Sequence, residues 1–143
     1  MIALGVFVHN GRILAIRYPS AAAAGVIYRP PGGGVEYGER GIDAVRREIR
    51  EELHSEIDDL RYLDTVENIF PENGRGQRQP HGHEIILLFS GTLARRELYR
   101  QATIPIVEDT GEAFTACWID IDATQAPDGP LLVPRQLPNY LPT

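Results

Sequence analysis

Apolar and polar positions follow two different periods along this chain. The run Ile2–Val8 is almost wholly apolar and predicts a buried strand. Asn10-Gly11 follows it, and Ile13–Arg17 is again apolar. An Asn-Gly pair between two apolar runs is a strong signal for a tight hairpin, because both residues accept positive φ angles. The start of the chain is therefore predicted to be a β-hairpin.

The period becomes helical from about Arg40 to Leu53. One narrow apolar stripe recurs every three or four residues and should dock on a sheet. It consists of Ile42, Val45, Ile49 and Leu53. Strands are predicted later at Arg61–Val66, Glu84–Leu93 and Phe114–Ile119, and short helices at Arg95–Gln101 and after Asp122. The pattern as a whole is mixed α/β.

Two segments are predicted to be loops. Tyr28–Gly34 contains two prolines and three glycines in seven residues, which argues against a helix or a central strand. Its glycines allow the backbone to approach another group closely. The polar segment Glu67–Glu84 is predicted to be a long loop, and long loops in compact domains are often functional.

Three carboxylates share one face of the predicted helix. Glu48, Glu51 and Glu52 lie three and four residues apart, so they are neighbours on its surface. Glu48 and Glu52 are a like-charge pair at i,i+4, which costs on the order of 0.2–0.5 kcal/mol. A divalent cation would turn this repulsion into attraction, because hard cations bind carboxylate oxygens.

The spacing around these carboxylates resembles the Nudix box, G-x5-E-x7-R-E-U-x-E-E-x-G-U, in which U is aliphatic. The matching residues are Gly33, Glu39, Arg47, Glu48, Ile49, Glu51 and Glu52. His54 and Ser55 depart from the last two positions. The resemblance implies one Nudix domain over residues 1–143, folded as an α/β/α sandwich around a mixed sheet. His54 stands where a glycine would cap the helix in the left-handed conformation, which should cost roughly 1 kcal/mol.

The resemblance also implies an activity. Nudix enzymes hydrolyse a nucleoside diphosphate linked to another group, using Mg2+ or Mn2+. Glu48, Glu51 and Glu52 would then bind the metal, with a backbone carbonyl from Gly32 or Gly33 as a further ligand. Magnesium suits such a site, since it takes one or two carboxylates together with substrate phosphates and water.

Other residues are assigned roles beside the metal. Glu39 is expected to orient Arg47, which can also hold Glu51 at i,i+4. A carboxylate must act as the base, and Glu52 could do so. Outside the box, Glu84 is the preferred candidate and Glu112 its competitor.

Candidate substrate contacts lie mostly near the glycine-rich segment. They are Arg29, Tyr28, Gly33 and Gly34. Phe70 and Trp118, like Tyr28, are candidates for stacking on a nucleobase, although ordinary core or surface packing is the favoured role of each. In the polar segment, Arg75 and Arg78 could reach a phosphate, and His81 and His83 could suggest a second metal site but are expected to be simply exposed.

The composition limits the partners and the location that can be expected for this protein. The net charge of −6 disfavours general binding to a nucleic-acid backbone, so a small nucleotide-type substrate is expected. One cysteine, Cys117, excludes an internal disulfide and fits a reducing, cytoplasmic location. No signal peptide or membrane span is predicted. The resemblance leaves a homodimer open. The alternatives are a non-catalytic module that senses a nucleotide-like ligand and a pyrophosphatase acting on capped RNA.

Overall fold

A computed structural model describes residues 1–20, 25–70 and 82–142. Arg75, Arg78, His81 and the side chain of Phe70 lie outside the described part of the chain. The strands are β1 (Ile2–Val6), β2 (Val8–His9), β3 (Arg12–Ser20), β4 (Gly25–Arg29), β5 (Gly32–Gly34), β6 (Ile57–Phe70), β7 (Gly82–Leu93), β8 (Thr103–Val107) and β9 (Ala113–Asp120). The α-helices are α1 (Gly41–Leu53) and α2 (Ile121–Thr124), and short 3-10 helices span Arg96–Arg100 and Leu137–Tyr140.

The strands form two sheets. The first has the order β5-β1-β7-β6 and is mixed, because β1 pairs with β7 in parallel and the other pairs are antiparallel. The second is antiparallel and is built around β3, which pairs with β9 along one edge and with β2 and β4 along the other. Strand β8 extends this sheet beyond β9.

The core consists of two apolar clusters. The first lies under α1 and contains Val45, Ile49 and Leu53 of the predicted stripe together with side chains from both sheets. The second includes Ile121 of α2 and Leu137 and Leu141 of the C-terminal segment. The predicted α/β sandwich is thus confirmed, with α1 as its one long helix within the described ranges. In those ranges no helix combines the length and apolarity that a membrane span requires.

Several local predictions are confirmed. Asn10 and Gly11 have φ angles of 50° and 74°, as a tight hairpin of the predicted kind requires. Helix α1 begins one residue after the predicted Arg40 and ends at Leu53. His54 has φ 52° and ψ 43°, so it caps the helix in the predicted left-handed conformation, and its amide donates to the carbonyl of Arg50.

Other predictions were wrong at strand edges. Gly32–Gly34 is a short strand rather than a loop, and it lies at the edge of its sheet, where one side needs no partner. Strand β8 was missed because it contains Pro105, which is tolerated there since β8 is also an edge strand. Both ends of the segment predicted as a long loop, up to Phe70 and from Gly82, belong to the paired strands β6 and β7.

Candidate active site

The acidic face of α1 turns inward at Glu52. Its neighbours Ile49 and Leu53 dock in the core, and Glu52 itself is only 4% exposed. The amide of Gly32, in strand β5, donates to Glu52 Oε1 at 3.0 Å. Glu52 Oε2 is buried and has no hydrogen-bond partner among the described residues. A buried acceptor left in this state calls for a donor or a cation.

The electrostatics of Glu52 agree with its position. Burial, followed by the nearby charges of Glu108 and Glu48, raises the pKa of Glu52 to about 9, and the hydrogen bond from Gly32 only partly opposes this. Without a cation, the carboxyl group is therefore held in its protonated form at neutral pH. A metal ion would reverse the effect by stabilising the carboxylate.

Glu48 lies directly against the backbone of Gly33. A Cβ at Gly33 would come within 2.5 Å of Glu48 Oε1, so only glycine leaves room for this carboxylate. At the next residue, Gly34, a Cβ would meet nothing within 4 Å. Burial also raises the pKa of Glu48, partly offset by its hydrogen bond with Arg47. The glycine strand and α1 thus enclose two carboxylates between them.

Arg47 contacts the acidic face of α1, the glycine strand β5 and the segment that joins them. Its guanidinium donates twice to Glu39, at 2.8 and 3.0 Å, once to Glu48 Oε1 at 3.0 Å and once to the carbonyl of Gly34 at 3.0 Å. The predicted contact with Glu51 is present as a looser ion pair of 3.5 Å. Glu39 therefore contacts Arg47 as expected, and it fixes the guanidinium that holds Glu48.

A second set of carboxylates, which the sequence analysis missed, comes from the turn between β8 and β9. The hydroxyl of Tyr18, on β3, donates to Glu108 Oε1 at 3.1 Å. Glu108 is close enough to Glu52 to raise its pKa, and the adjacent Asp109 acts in the same way on Glu48. No motif marks these residues, since their position depends on the unpredicted strand β8.

A cleft of about 530 Å³ opens between the two sheets beside these carboxylates. Its lining comprises Ile2, Leu4, Tyr18, Ile27, Arg29, Pro30, Gly32, Gly33, Gly34, Glu48, Glu84, Glu108, Asp109, Thr110, Glu112 and Phe114. Predicted substrate contacts Arg29, Gly33 and Gly34 therefore all reach one cavity. Tyr18 and Phe114 pack edge to face, with ring centroids 4.8 Å apart, and form an aromatic wall that the sequence analysis also missed.

Comparison with known proteins identifies the family of this chain. The model of the NUDIX domain matches residues 1–139. The chain belongs to the NUDIX domain family. Membership of this family makes it a hydrolase that acts on phosphoanhydride bonds.

Solved structures agree with this assignment. A MutT NUDIX hydrolase from Burkholderia pseudomallei is 27% identical, with 85% of this chain and 82% of that chain covered and a TM-score of 0.52. A NUDIX hydrolase from Nitrosomonas europaea is 20% identical over 85% and 72%, with a TM-score of 0.53. The E. coli ORF135 protein is 22% identical over 96% and 82%, with a TM-score of 0.52. The last two similarities show the fold alone.

Not every candidate in this Nudix domain reaches the cleft. Tyr28 packs in the apolar cluster under the C-terminal segment, because alternate residues of a strand point to opposite faces and Ile27 and Arg29 are the ones that line the cleft. Trp118 stacks on Tyr99 at 5.1 Å and donates to the carbonyl of Leu98, so it too is used in packing. Neither side chain lines the cleft, so both take the packing role that is favoured for these aromatic residues.

The candidates for the base occupy different environments. Glu84 reaches the cleft, but its carboxylate is paired with Arg29 at 3.2 Å and accepts a hydrogen bond from Asn68 at 3.1 Å. Glu112 lies at the exposed rim. His83 pairs with Glu67 at 2.8 Å, and both side chains are exposed, as was expected for His83.

The donor set of this Nudix domain fits a hard divalent cation. Carboxylates from α1 and from the β8–β9 turn face one another, and Glu52 offers a buried oxygen that lacks a partner within the described ranges. In those same ranges no three acidic or histidine side chains already converge as a complete ligand set. The Arg47 contacts explain part of this, because the guanidinium draws Glu48 and Glu51 toward itself.

Proposed function

We propose that this Nudix domain is a metal-dependent pyrophosphohydrolase that cleaves a nucleoside diphosphate linked to another group. The observation that carries the proposal is the buried Oε2 of Glu52, which has no hydrogen-bond partner among the described residues and lies near Glu48 and Glu108, two carboxylates that line the cleft. The acidic lining by itself would repel a pyrophosphate. A cation between protein and substrate resolves that repulsion.

The proposed ligands are the predicted ones. They are Glu48, Glu51 and Glu52, with the carbonyl of Gly32, and Mg2+ is the expected ion, with Mn2+ as a substitute. When bound, such an ion screens the pyrophosphate charge, stabilises the leaving phosphate and lowers the pKa of an attacking water. Glu39 and Arg47 act as positioning residues, because together they hold Glu48 against the glycine strand.

We assign the base to Glu108 rather than to Glu84. The hydroxyl of Tyr18 holds one oxygen of Glu108 at 3.1 Å, leaving the other oxygen available to accept a proton from water. Both oxygens of Glu84 already accept hydrogen bonds from Arg29 or Asn68, so neither is free to take a proton from water. Glu112, the other predicted candidate, is farther out at the rim.

Three wider expectations belong to the same proposal. The substrate is a small nucleotide derivative, as the net charge of −6 disfavours polyanionic partners. A cytoplasmic location is consistent with the single, half-buried Cys117, which needs no oxidising compartment. A homodimer is left as an expectation from the family resemblance.

Phosphate release from a panel of substrates tests the proposal. The panel contains nucleoside triphosphates, an ADP-sugar, a dinucleoside polyphosphate, a non-nucleotide diphosphate and a capped RNA. Each is incubated with Mg2+, with Mn2+ and with EDTA, and the products are identified by phosphorus NMR. Hydrolysis of a nucleotide with Mg2+ and none with EDTA is expected. Binding without hydrolysis would favour a non-catalytic sensing module. Hydrolysis confined to capped RNA would favour a pyrophosphatase acting on capped RNA.

A further inference from the structure

One contact in the cleft spans the two sheets. Arg29, on β4 of the second sheet, pairs with Glu84, on β7 of the first, through Nη1 at 3.2 Å and Nη2 at 3.4 Å. The two side chains are 20% and 23% exposed. Asn68, on β6, is buried and donates to the same carboxylate at 3.1 Å. Glu84 is thus fixed from two directions and in turn fixes the guanidinium.

The charge of this pair differs from that of its surroundings. Among the described residues that line the cleft, Arg29 is the one cationic side chain, against five acidic residues. Its charge is already balanced by Glu84. The pair therefore offers directed donors and acceptors without net positive charge. That combination suits a neutral polar edge better than a further phosphate group.

The walls beside the pair are apolar. Ile27 lies two residues before Arg29 on the same face of β4, and Ile2 lies on β1 next to β7; both line the cleft. Apolar walls with a few fixed polar groups are typical of a site for a flat heterocycle. The free guanidinium donors can meet a ring acceptor, and the carboxylate oxygens of Glu84 can meet an amino or imino donor.

We propose that Arg29 and Glu84, held by Asn68, form the site that recognises the nucleobase of the substrate. In this arrangement Arg29 contacts the base, not a phosphate, and determines specificity. Asn68 is a positioning residue for Glu84. This inference rests on the proposed nucleotide substrate. It gives Arg29, a predicted substrate contact, a specific role, and it replaces the predicted role of Glu84 as the general base.

Equilibrium binding without divalent metal tests the inference independently of turnover. The probes are the four common nucleoside 5′-monophosphates and ribose 5-phosphate, which carries the same sugar phosphate but no base. The wild-type protein should bind its preferred monophosphate roughly 10- to 100-fold more tightly than ribose 5-phosphate. Equal binding of all five probes, or no binding of any, would overturn the proposal.

Two variants locate the effect. Glu84→Gln should reduce the preference among the four bases by about tenfold, while binding of ribose 5-phosphate is kept or strengthened because Arg29 then carries a free charge. In turnover it should raise KM far more than it lowers kcat. Glu67→Gln is the matched control, because it makes the same chemical change next to Asn68 on β6. Glu67 pairs with the exposed His83, so this substitution should leave the base preference unchanged.

The outcomes separate this inference from the proposed function. If the protein binds one base selectively but hydrolyses nothing, the proposed function is wrong and the nucleobase site is supported. If it hydrolyses all nucleoside triphosphates at equal kcat/KM, the proposed function is supported and the nucleobase site is wrong. An unchanged ranking of the four bases in Glu84→Gln would also contradict the assignment. Because the wild-type comparison needs no variant, the test holds even if Glu84→Gln fails to fold.

Discussion

Glu52 and Gly32 form the contact on which the site is built. The Gly32 amide donates to Glu52 Oε1 at 3.0 Å, which connects the edge strand β5 to the buried face of α1. The other oxygen of the carboxyl group has no partner among the described residues. One contact thus fixes the orientation of Glu52 and leaves its other oxygen as the one proposed to bind a cation.

The raised pKa of Glu52 predicts how the metal-free protein responds to pH. A carboxyl group whose pKa rises from 4.5 to about 9 on folding binds more protons in the folded state throughout that interval. Stability should therefore fall as pH rises from about 5 to 9. Thermal unfolding in EDTA should show this fall in the wild-type protein and a flatter profile in Glu52→Gln. Glu51→Gln, at a more exposed position of the same helix, is the control and should keep the wild-type slope.

The space at Gly33 predicts a selective loss of metal binding. In Gly33→Ala the new methyl group would lie 2.5 Å from Glu48 Oε1 and must displace that carboxylate. Affinity for Mn2+, measured by titration calorimetry, should fall about tenfold or more. Gly34→Ala is the matched control, because a methyl group there meets nothing within 4 Å. Equal affinities in the two variants would show that Glu48 does not bind the ion.

The helix end at His54 predicts opposite effects of two small residues. His54 has a positive φ of 52°, which glycine adopts without strain and alanine does not. His54→Gly should stabilise the protein by up to about 1 kcal/mol, and His54→Ala should not. Chemical unfolding of both variants measures the difference. A loss of stability in the glycine variant would show that the imidazole makes a stabilising contact.

The assignment of the base predicts a contrast among three carboxylates. Glu108→Gln should lower kcat by roughly 10²- to 10⁴-fold with little change in KM, and Tyr18→Phe should lower it less, because it removes only the hydrogen bond to Glu108. Glu112→Gln, at the exposed rim, should stay near the wild-type rate. The pH–rate profiles of these variants are the measurement. If the pH–rate profile of Glu108→Gln keeps the wild-type acidic limb, Glu108 is not the general base, and the role belongs to Glu52 or Glu84.

Predictions from the sequence were confirmed for features that depend on residues close together in the chain. The Asn10-Gly11 turn, helix α1 and the left-handed His54 each depend on a few neighbouring residues. The spacing of the Nudix box also brought Glu48 and Glu52 to one helix face. The burial of Glu52 was not predicted, because it depends on the edge strand β5 lying over the helix.

The parts that sequence analysis missed depend on distant contacts. Glu108 acts at the site only because β8 pairs with β9 and its turn faces α1. Glu84 was correctly placed at the cleft, but its partner Arg29 lies 55 residues away on the other sheet, and no periodicity reveals such a pair. Ser55 departs from the box without leaving a polar group unsatisfied, since its hydroxyl donates to Glu56 and accepts from the Arg95 amide.

The most direct test of the account is turnover of the best substrate by wild-type protein and Glu52→Gln in Mg2+. We expect kcat to fall by orders of magnitude in the variant, while its metal-free melting temperature holds steady or rises, because glutamine cannot ionise and so removes the cost of burying an ionisable carboxyl group. Circular dichroism of both proteins confirms that the fold is kept. Full activity in a folded Glu52→Gln protein would contradict the proposed metal site.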